Sequence, residues 1–246
     1  MNIIEVKDVS KSYGGVKANV DISMAVKQGS ITGIIGPNGC GKTTLFNSIV
    51  GYHPIDTGSI TFDGEEISTL RVGDIARRGL LRTFQQTRIY SKMDCVQNMQ
   101  ISVSHRHGSF GNLFASRKGE IKDRAEHLLE FVGLYSKRNL ISGDLSFGQQ
   151  KLLEFAMALM NEPKVLLLDE PTAGINPTLI NGLIDRLQRA NEELGITLCV
   201  IEHNMRVIMN LAEQIYCLSN GQMLADGKPA DLQNDQRVID AYLGGH

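Results

Sequence analysis

The chain has no uninterrupted apolar run approaching the roughly 20 residues that a membrane-spanning helix needs. Its first residues, Met1-Asn2-Ile3-Ile4-Glu5, lack a basic region followed by an apolar stretch. A cytoplasmic chain is the simplest expectation. Neither sign of charge is in excess: 25 Lys and Arg stand against 27 Asp and Glu, a formal net charge of -2, with a pI near 6.3. This disfavours nucleic acid as the main partner, because no global basic footprint is present. Cysteine is scarce. Cys40, Cys95, Cys199 and Cys217 show no C-x-x-C spacing, and two of them sit in apolar strand-like runs where cysteine behaves as a small hydrophobe. Reduced thiols are expected. Cys40 alone lies where a phosphate-binding helix start could lower its pKa, although a tolerated small residue is the plainer reading. Internal repeats and low-complexity tails are missing too. What is present, 246 residues at 42% hydrophobic, suffices for a full core in one domain, or in one domain carrying a smaller lobe.

The most informative stretch is Gly36-Pro37-Asn38-Gly39-Cys40-Gly41-Lys42-Thr43-Thr44. It fits G-x-x-x-x-G-K-[ST], with Ile31–Ile35 before it reading as a buried strand and Leu45–Val50 after it as the first turns of a helix. The glycines let backbone N–H groups turn toward phosphates, and the helix start adds positive potential. Lys42 reaches the β- and γ-phosphates, and the Thr43 hydroxyl suits Mg²⁺. A nucleoside triphosphate site is expected here. Further on, Lys164-Val165-Leu166-Leu167-Leu168-Asp169-Glu170 runs a fully apolar strand into two carboxylates. At the C-terminal end of such a strand, Asp169 suits a metal ion and Glu170 suits polarisation of an attacking water. Ile196–Ile201 repeats the pattern and ends in Glu202-His203, which puts His203 where it could touch a γ-phosphate. Gly143–Lys151 leads into the helical run Leu152–Met160, with Ser146 and Gly148 at a helix start.

The remaining pattern is read more coarsely. Ile3–Val9 and Val20–Val26 alternate as half-buried strands joined through Tyr13-Gly14-Gly15, and Tyr13 could stack on a base or anchor the connection. Gly58–Gly64 closes on Asp-Gly as a hairpin, Arg71–Arg78 reads as a helix, and Leu80–Phe84 as a strand leading to Gln85-Gln86. From about Asp94 to Met160 the period is helical, clearest over Ile121–Val132, while Ser102–Gly119 reads as a long surface loop. His105 and His107 within it find no completing metal ligands nearby. Pro177–Leu194 reads as a helix, Ile215–Leu218 and Met223–Ala225 as a last hairpin, and Val238–Leu243 as a closing helix.

Taken together, these residues resemble the ATP-binding subunit of an ATP-binding-cassette transporter across essentially the whole chain. Gly36–Thr43 matches the Walker A loop, Gln85 the Q-loop and Leu145–Gln149 the signature. Val165–Asp169 with Glu170 matches the Walker B strand, Ala173–Asn176 the D-loop, His203 the switch histidine and Tyr13 the adenine-stacking aromatic. The signature departs from the family by Phe147 where Gly is usual, and the D-loop by Asn176 where Asp is commoner. The resemblance implies an α/β fold: a P-loop NTPase core with a mainly parallel sheet, an N-terminal antiparallel β subdomain and an inserted helical subdomain. The expected division is a single cassette over 1–246, with 1–93 and 161–246 as core and β subdomain and about 94–160 helical. It implies ATP and Mg²⁺ as cofactors, contacts to nucleotide from Tyr13, residues 36–44, Ser146, Gly148 and Gln149, and metal contacts from Thr43, Gln85 and Asp169. Glu170, His203, Lys42 and Gln85 would carry catalysis.

The implied partners are two transmembrane permease subunits, a second cassette that is either a copy or a different chain, and indirectly a periplasmic or extracellular substrate-binding protein. The implied place is the cytoplasmic face of the cell membrane, without nucleic acid. Leu81–Gln85, the long loop before the signature, Phe147–Gln150, Ala173–Pro177 and Val238–Gly244 are most similar to the branched-chain amino acid group, in its longer, G-type ATPase subunit. Urea, amide and lipopolysaccharide-export cassettes share part of that pattern. A soluble cassette ATPase of translation or repair would carry two cassettes or a long coiled-coil insertion, and a nucleotide kinase would lack the signature and the Glu170 to His203 arrangement.

Overall fold

The computed structural model describes residues 1–83, 89–103 and 114–243, apart from the side chains of 114–118 and 243. Gln85, His105 and His107 therefore lie outside the described residues. The chain divides into two compact units: Met1–Arg82, Lys164–Pro171 and Leu187–His246 form one, Thr83–Pro163 and Thr172–Arg186 the other.

The first unit is built on two sheets. One is antiparallel, in the order β2-β1-β4-β5, from β1 (Asn2–Tyr13), β2 (Val16–Lys27), β4 (Thr57–Phe62) and β5 (Glu65–Glu66). The other contains β3 (Ile31–Ile35), β6 (Leu80–Arg82), β7 (Val165–Asp169), β8 (Thr197–Ile201), β9 (Gln214–Ser219) and β10 (Gln222–Gly227), in the order β10-β9-β3-β8-β7-β6. Every pairing in it is parallel except β10 with β9. Strands β3, β7 and β8 are buried along their whole length. That is why they read as mainly apolar runs without alternation, since a parallel strand covered on both faces has no solvent side to mark with polar residues. Apolar side chains from both sheets and from α1 (Lys42–Ile49) make one core, among them Ile4, Ile22, Phe62, Ile34, Phe46, Leu167 and Leu218. Tyr216 ties the sheets by polar contacts as well, its hydroxyl bonded to Ala25 O at 3.0 Å and Ala25 N at 3.1 Å. The unit also carries α2 (Val72–Arg78), α7 (Met205–Leu211), α8 (Pro229–Gln233) and α9 (Gln236–Leu243).

The second unit is helical, with α3 (Cys95–Ser102), α4 (Phe114–Phe131) and α5 (Phe147–Leu159); α6 (Pro177–Leu194) begins in it and finishes in the first. Asp94 and Gln97 form a capping box at the start of α3, satisfying two backbone donors that the helix itself leaves open. Fully buried Asn98 donates to the carbonyls of Tyr90, Met93 and Asp94 and to Ser142 Oγ, and accepts from Tyr90 N.

Two expectations are corrected. The strand expected over Leu80–Phe84 stops at Arg82, the last residue paired with β7, and Phe84 is outside the described residues. The loop expected over Ser102–Gly119 is helical from Phe114 onward and at Ser102 itself; Gly119 and a polar stretch without apolar period hid the first turns of α4. The helix start expected at Ser146 and Gly148 is found there, with Ser146 as the cap of α5, so the helical run read over Leu152–Met160 is the later part of a helix that begins at Phe147.

Candidate functional site

The loop between β3 and α1 is built for an anion. Gly41 forms the cap of α1 in the left-handed region at φ 104°, without a side-chain cap and with no acidic residue in the first turn. The orphan N–H groups of that turn and the helix dipole therefore stay available to a negative ligand. Only glycine fits there: a Cβ would meet Ala18 O at 2.3 Å and Asn19 Nδ2 at 2.5 Å. Asn19, buried on β2, donates to the Gly41 carbonyl at 3.2 Å, and Gly221, in the β9–β10 turn, donates its N–H to Cys40 O at 3.1 Å. The loop is thus gripped from both sheets. Lys42 is buried, its Nζ bonded to Gly36 O at 2.7 Å and Pro37 O at 2.9 Å, whereas Asn38, Gly39 and Thr43 face solvent.

Two parallel strands carry the acidic and imidazole groups to the same end of the sheet. Asp169 closes β7, and its Oδ2 accepts from Arg82 Nη2 at 2.6 Å, with side chains 0% and 7% exposed. Arg82 also bonds to Asn47 Oδ1 of α1. Asp169 Oδ1 is buried without a hydrogen-bond partner. A buried carboxylate oxygen left open is costly unless a donor or cation meets it, so this donor set fits a hard divalent cation held by few protein ligands. Among the described residues no group of three or more His, Cys, Asp or Glu could hold a metal on its own.

Glu170 follows in the left-handed region at φ 50°, a conformation that costs on the order of 1–3 kcal/mol for a non-glycine residue and concentrates at functional sites. Its N–H bonds to Ile201 O at 2.9 Å. Its Oε1 lies 2.6 Å from His203 Nε2, within hydrogen-bond distance. His203 is held in turn by Glu202. That buried carboxylate accepts from the N–H groups of His203 and Asn204 at 3.2 and 3.3 Å. Tyr13, at the end of β1, is 48% exposed, with its ring edge-on to His53 at 5.5 Å and Lys11 Nζ 5.5 Å from its centroid.

In the helical unit, Ser146 caps α5: its Oγ accepts from Gln149 N, and Gln149 Oε1 accepts from Ser146 N at 3.1 Å. Gly148 is buried in the first turn, and Phe147 stands 47% exposed beside it.

Of the expected site residues, the first unit thus holds 36–44, Asp169, Glu170, His203 and Tyr13, the second holds Ser146, Gly148 and Gln149, and Gln85 is not described. Sequence reasoning missed Arg82, Asn19, Asn47 and Glu202. Asn19, Asn47 and Arg82 act through partners distant in sequence, whereas Glu202 acts on the two residues that follow it; Arg82, a lone charge ending a strand, and Glu202, a carboxylate ending another, left a local signal.

Residues 20–173 match the family model described as ABC transporter, and 222–246 match one described as branched-chain amino acid ATP-binding cassette transporter. The chain is 37% identical over 250 residues to the high-affinity branched-chain amino acid transport ATP-binding protein BraF of Pseudomonas aeruginosa, covering 98% of each. It is 35% identical to the probable branched-chain amino acid transport ATP-binding protein LivG of Archaeoglobus fulgidus, covering 99% of this chain and 96% of that one. Among solved structures, an ATP-binding cassette of an ABC transporter in its ADP conformation superposes with a TM-score of 0.88 at 31% identity, over 99% of both chains. A dimeric cassette in a post-hydrolysis state bound to ADP and phosphate superposes at 0.79 with 26% identity, over 92% of this chain and 98% of that one. With the phosphate loop, the acidic strand end and the Glu170–His203 pair in one unit, the chain belongs to the ABC transporter family and is an ATP-binding cassette ATPase.

Proposed function

We propose that this cassette hydrolyses ATP at the loop 36–44 to power uptake of amino acids, branched-chain ones foremost, through two membrane permease subunits. The observation that carries the hydrolytic part is the 2.6 Å contact between Glu170 and His203 at the strand ends beside the phosphate loop. The names of the relatives and the match over 222–246 support the cargo.

In this reading Lys42 exchanges its two loop carbonyls for β- and γ-phosphate oxygens, while the N–H groups of Pro37-following residues 38–44 surround them. Tyr13 stacks on the adenine. Glu170 accepts a hydrogen bond from the attacking water and raises its nucleophilicity, and His203 orients Glu170 and stabilises charge on the γ-phosphoryl oxygens. Thr43, Asp169 and Gln85 would hold Mg²⁺, which when bound supplies a Lewis acid that spreads phosphate charge. Ser146, Gly148 and Gln149 serve the nucleotide of a second cassette in a head-to-tail pair, closed by ATP and reopened by hydrolysis. The pair sits on the cytoplasmic face of the membrane, where a substrate-binding protein on the other side delivers cargo to the permease. No helix among the described residues is long and apolar enough to cross a membrane, so attachment falls to the partners.

Glu170→Gln keeps the shape and removes the charge. ATP binding should persist, turnover should fall by about 100-fold or more, and a closed dimer should accumulate; unchanged steady-state turnover overturns the assignment. Affinity purification of the chain from gently solubilised membranes should recover two polytopic proteins and a cassette. Ribosomes or DNA without a membrane protein would leave the ATPase standing and remove the transport role.

A further inference from the structure

We infer that Tyr242 is a positioning residue for the phosphate loop, acting through Gly36 on Lys42. The inference rests on the reading of 36–44 as the ATP site.

Gly36 is where the chain leaves the middle of the six-stranded sheet. The last residue of β3 paired with β9 is Ile35, opposite Cys217. The next N–H, that of Gly36, is buried and past the end of the ladder. A buried main-chain donor at that point needs an acceptor from elsewhere. Tyr242, on α9, provides it: its hydroxyl oxygen lies 2.8 Å from Gly36 N, from 206 residues along the chain. The surroundings allow Gly36 little choice of place. It has φ 143°, and a Cβ would meet Leu218 O at 2.1 Å and Cys40 Sγ at 2.7 Å. The carbonyl of the same residue receives Lys42 Nζ at 2.7 Å. One residue is therefore fastened on its N–H side by the C-terminal helix and on its carbonyl side by the phosphate-binding lysine.

Burial pushes the Tyr242 phenol up to about 12, so the hydroxyl is neutral at any working pH and the contact does not titrate there. Helix α9 is anchored by buried Val238. Tyr242 lies in the 222–246 match and outside the 20–173 match. The device thus belongs to the tail and not to the part of the chain matched by the general cassette model. The tail's contribution to the reaction is a phosphate loop set in shape before nucleotide arrives, which lowers the cost of binding without touching the nucleotide.

The test is Tyr242→Phe in the full chain, which removes one oxygen and keeps the ring, beside Tyr216→Phe, which removes another tyrosine hydroxyl bonded to backbone in this unit. Affinity is read with a fluorescent N-methylanthraniloyl ATP and with KM for MgATP, and the Gly36 amide is followed by ¹⁵N NMR and hydrogen exchange. Tyr242→Phe should weaken ATP binding and raise KM by about tenfold with kcat within about twofold, and the Gly36 amide should shift and exchange faster. Tyr216→Phe should lower thermal stability while leaving ATP affinity and the Gly36 amide as in the wild type. Unchanged ATP affinity in Tyr242→Phe, or an equal loss in Tyr216→Phe, overturns the role of Tyr242. Failure of the wild-type chain to bind ATP overturns the reading of the loop itself, and the inference with it.

Discussion

Arg82 and Asp169 meet 2.6 Å apart in the first unit with almost no solvent on either side chain. Removing one partner of such a pair leaves the other charge buried and uncompensated. Arg82→Met is therefore expected to cost about 3 kcal/mol, on the order of 6–12 °C in Tm for a chain of this size. Adding Asp169→Asn to it should return part of that loss, measured by thermal unfolding followed by circular dichroism; a single variant as stable as the wild type would show the pair to be dispensable. This pair was not legible in the sequence, because 87 positions separate its members and nothing local ties an arginine to a particular carboxylate. The loop 36–44 was legible, since glycine spacing, lysine and threonine are all dictated by one local geometry. Glu170 was legible as a carboxylate at a strand end, but its left-handed backbone was not. Nothing in a glutamate announces that the chain must turn against its preference there.

The start of α3 shows how much one element depends on a single polar side chain. Asn98 links the turn before the helix, its first residues and Ser142, and its own side chain and Ser142 are fully buried. Asn98→Ala would strand several of these groups, and each buried unpaired group costs about 1–3 kcal/mol. A loss of about 3 kcal/mol is expected, together with faster amide exchange over 90–98 and near 142 than over β3. Exchange raised evenly throughout the chain would instead mean that Asn98 has no local role. Elements with end signals were read well: S-x-x-Q at Ser146 and Gln149 is a capping box that forms as such. Elements without them were not. Helix α4 begins in a polar stretch containing glycine. Helices α7 and α8 are 7 and 5 residues long, too short for a 3.6-residue period to declare itself.

At the scale of the molecule, all four cysteines are buried and unpaired. Burial pushes the thiols of Cys95 and Cys217 up to about 11 and that of Cys199 higher still. Because the thiolate is the reactive form, none of these three should react quickly in the folded chain, and Cys40 is shielded by position. A thiol-specific chromogenic reagent should find essentially no fast thiol in the native protein and all four in denaturant; rapid stoichiometric labelling without denaturant would contradict that burial. The sheet alternation and the parallel core were visible as patterns, but the strand order was not, since apolar runs such as β3, β7 and β8 carry no label for their neighbours. That order has a consequence for how the protein is made. Strand β3 is made before both of its neighbours, β8 and β9, which come more than 160 residues later. The last fastening of the loop beside it comes at residue 242. A chain made only as far as α6 holds a central strand open along both edges, and the ATP site is set only once residue 242 has been added.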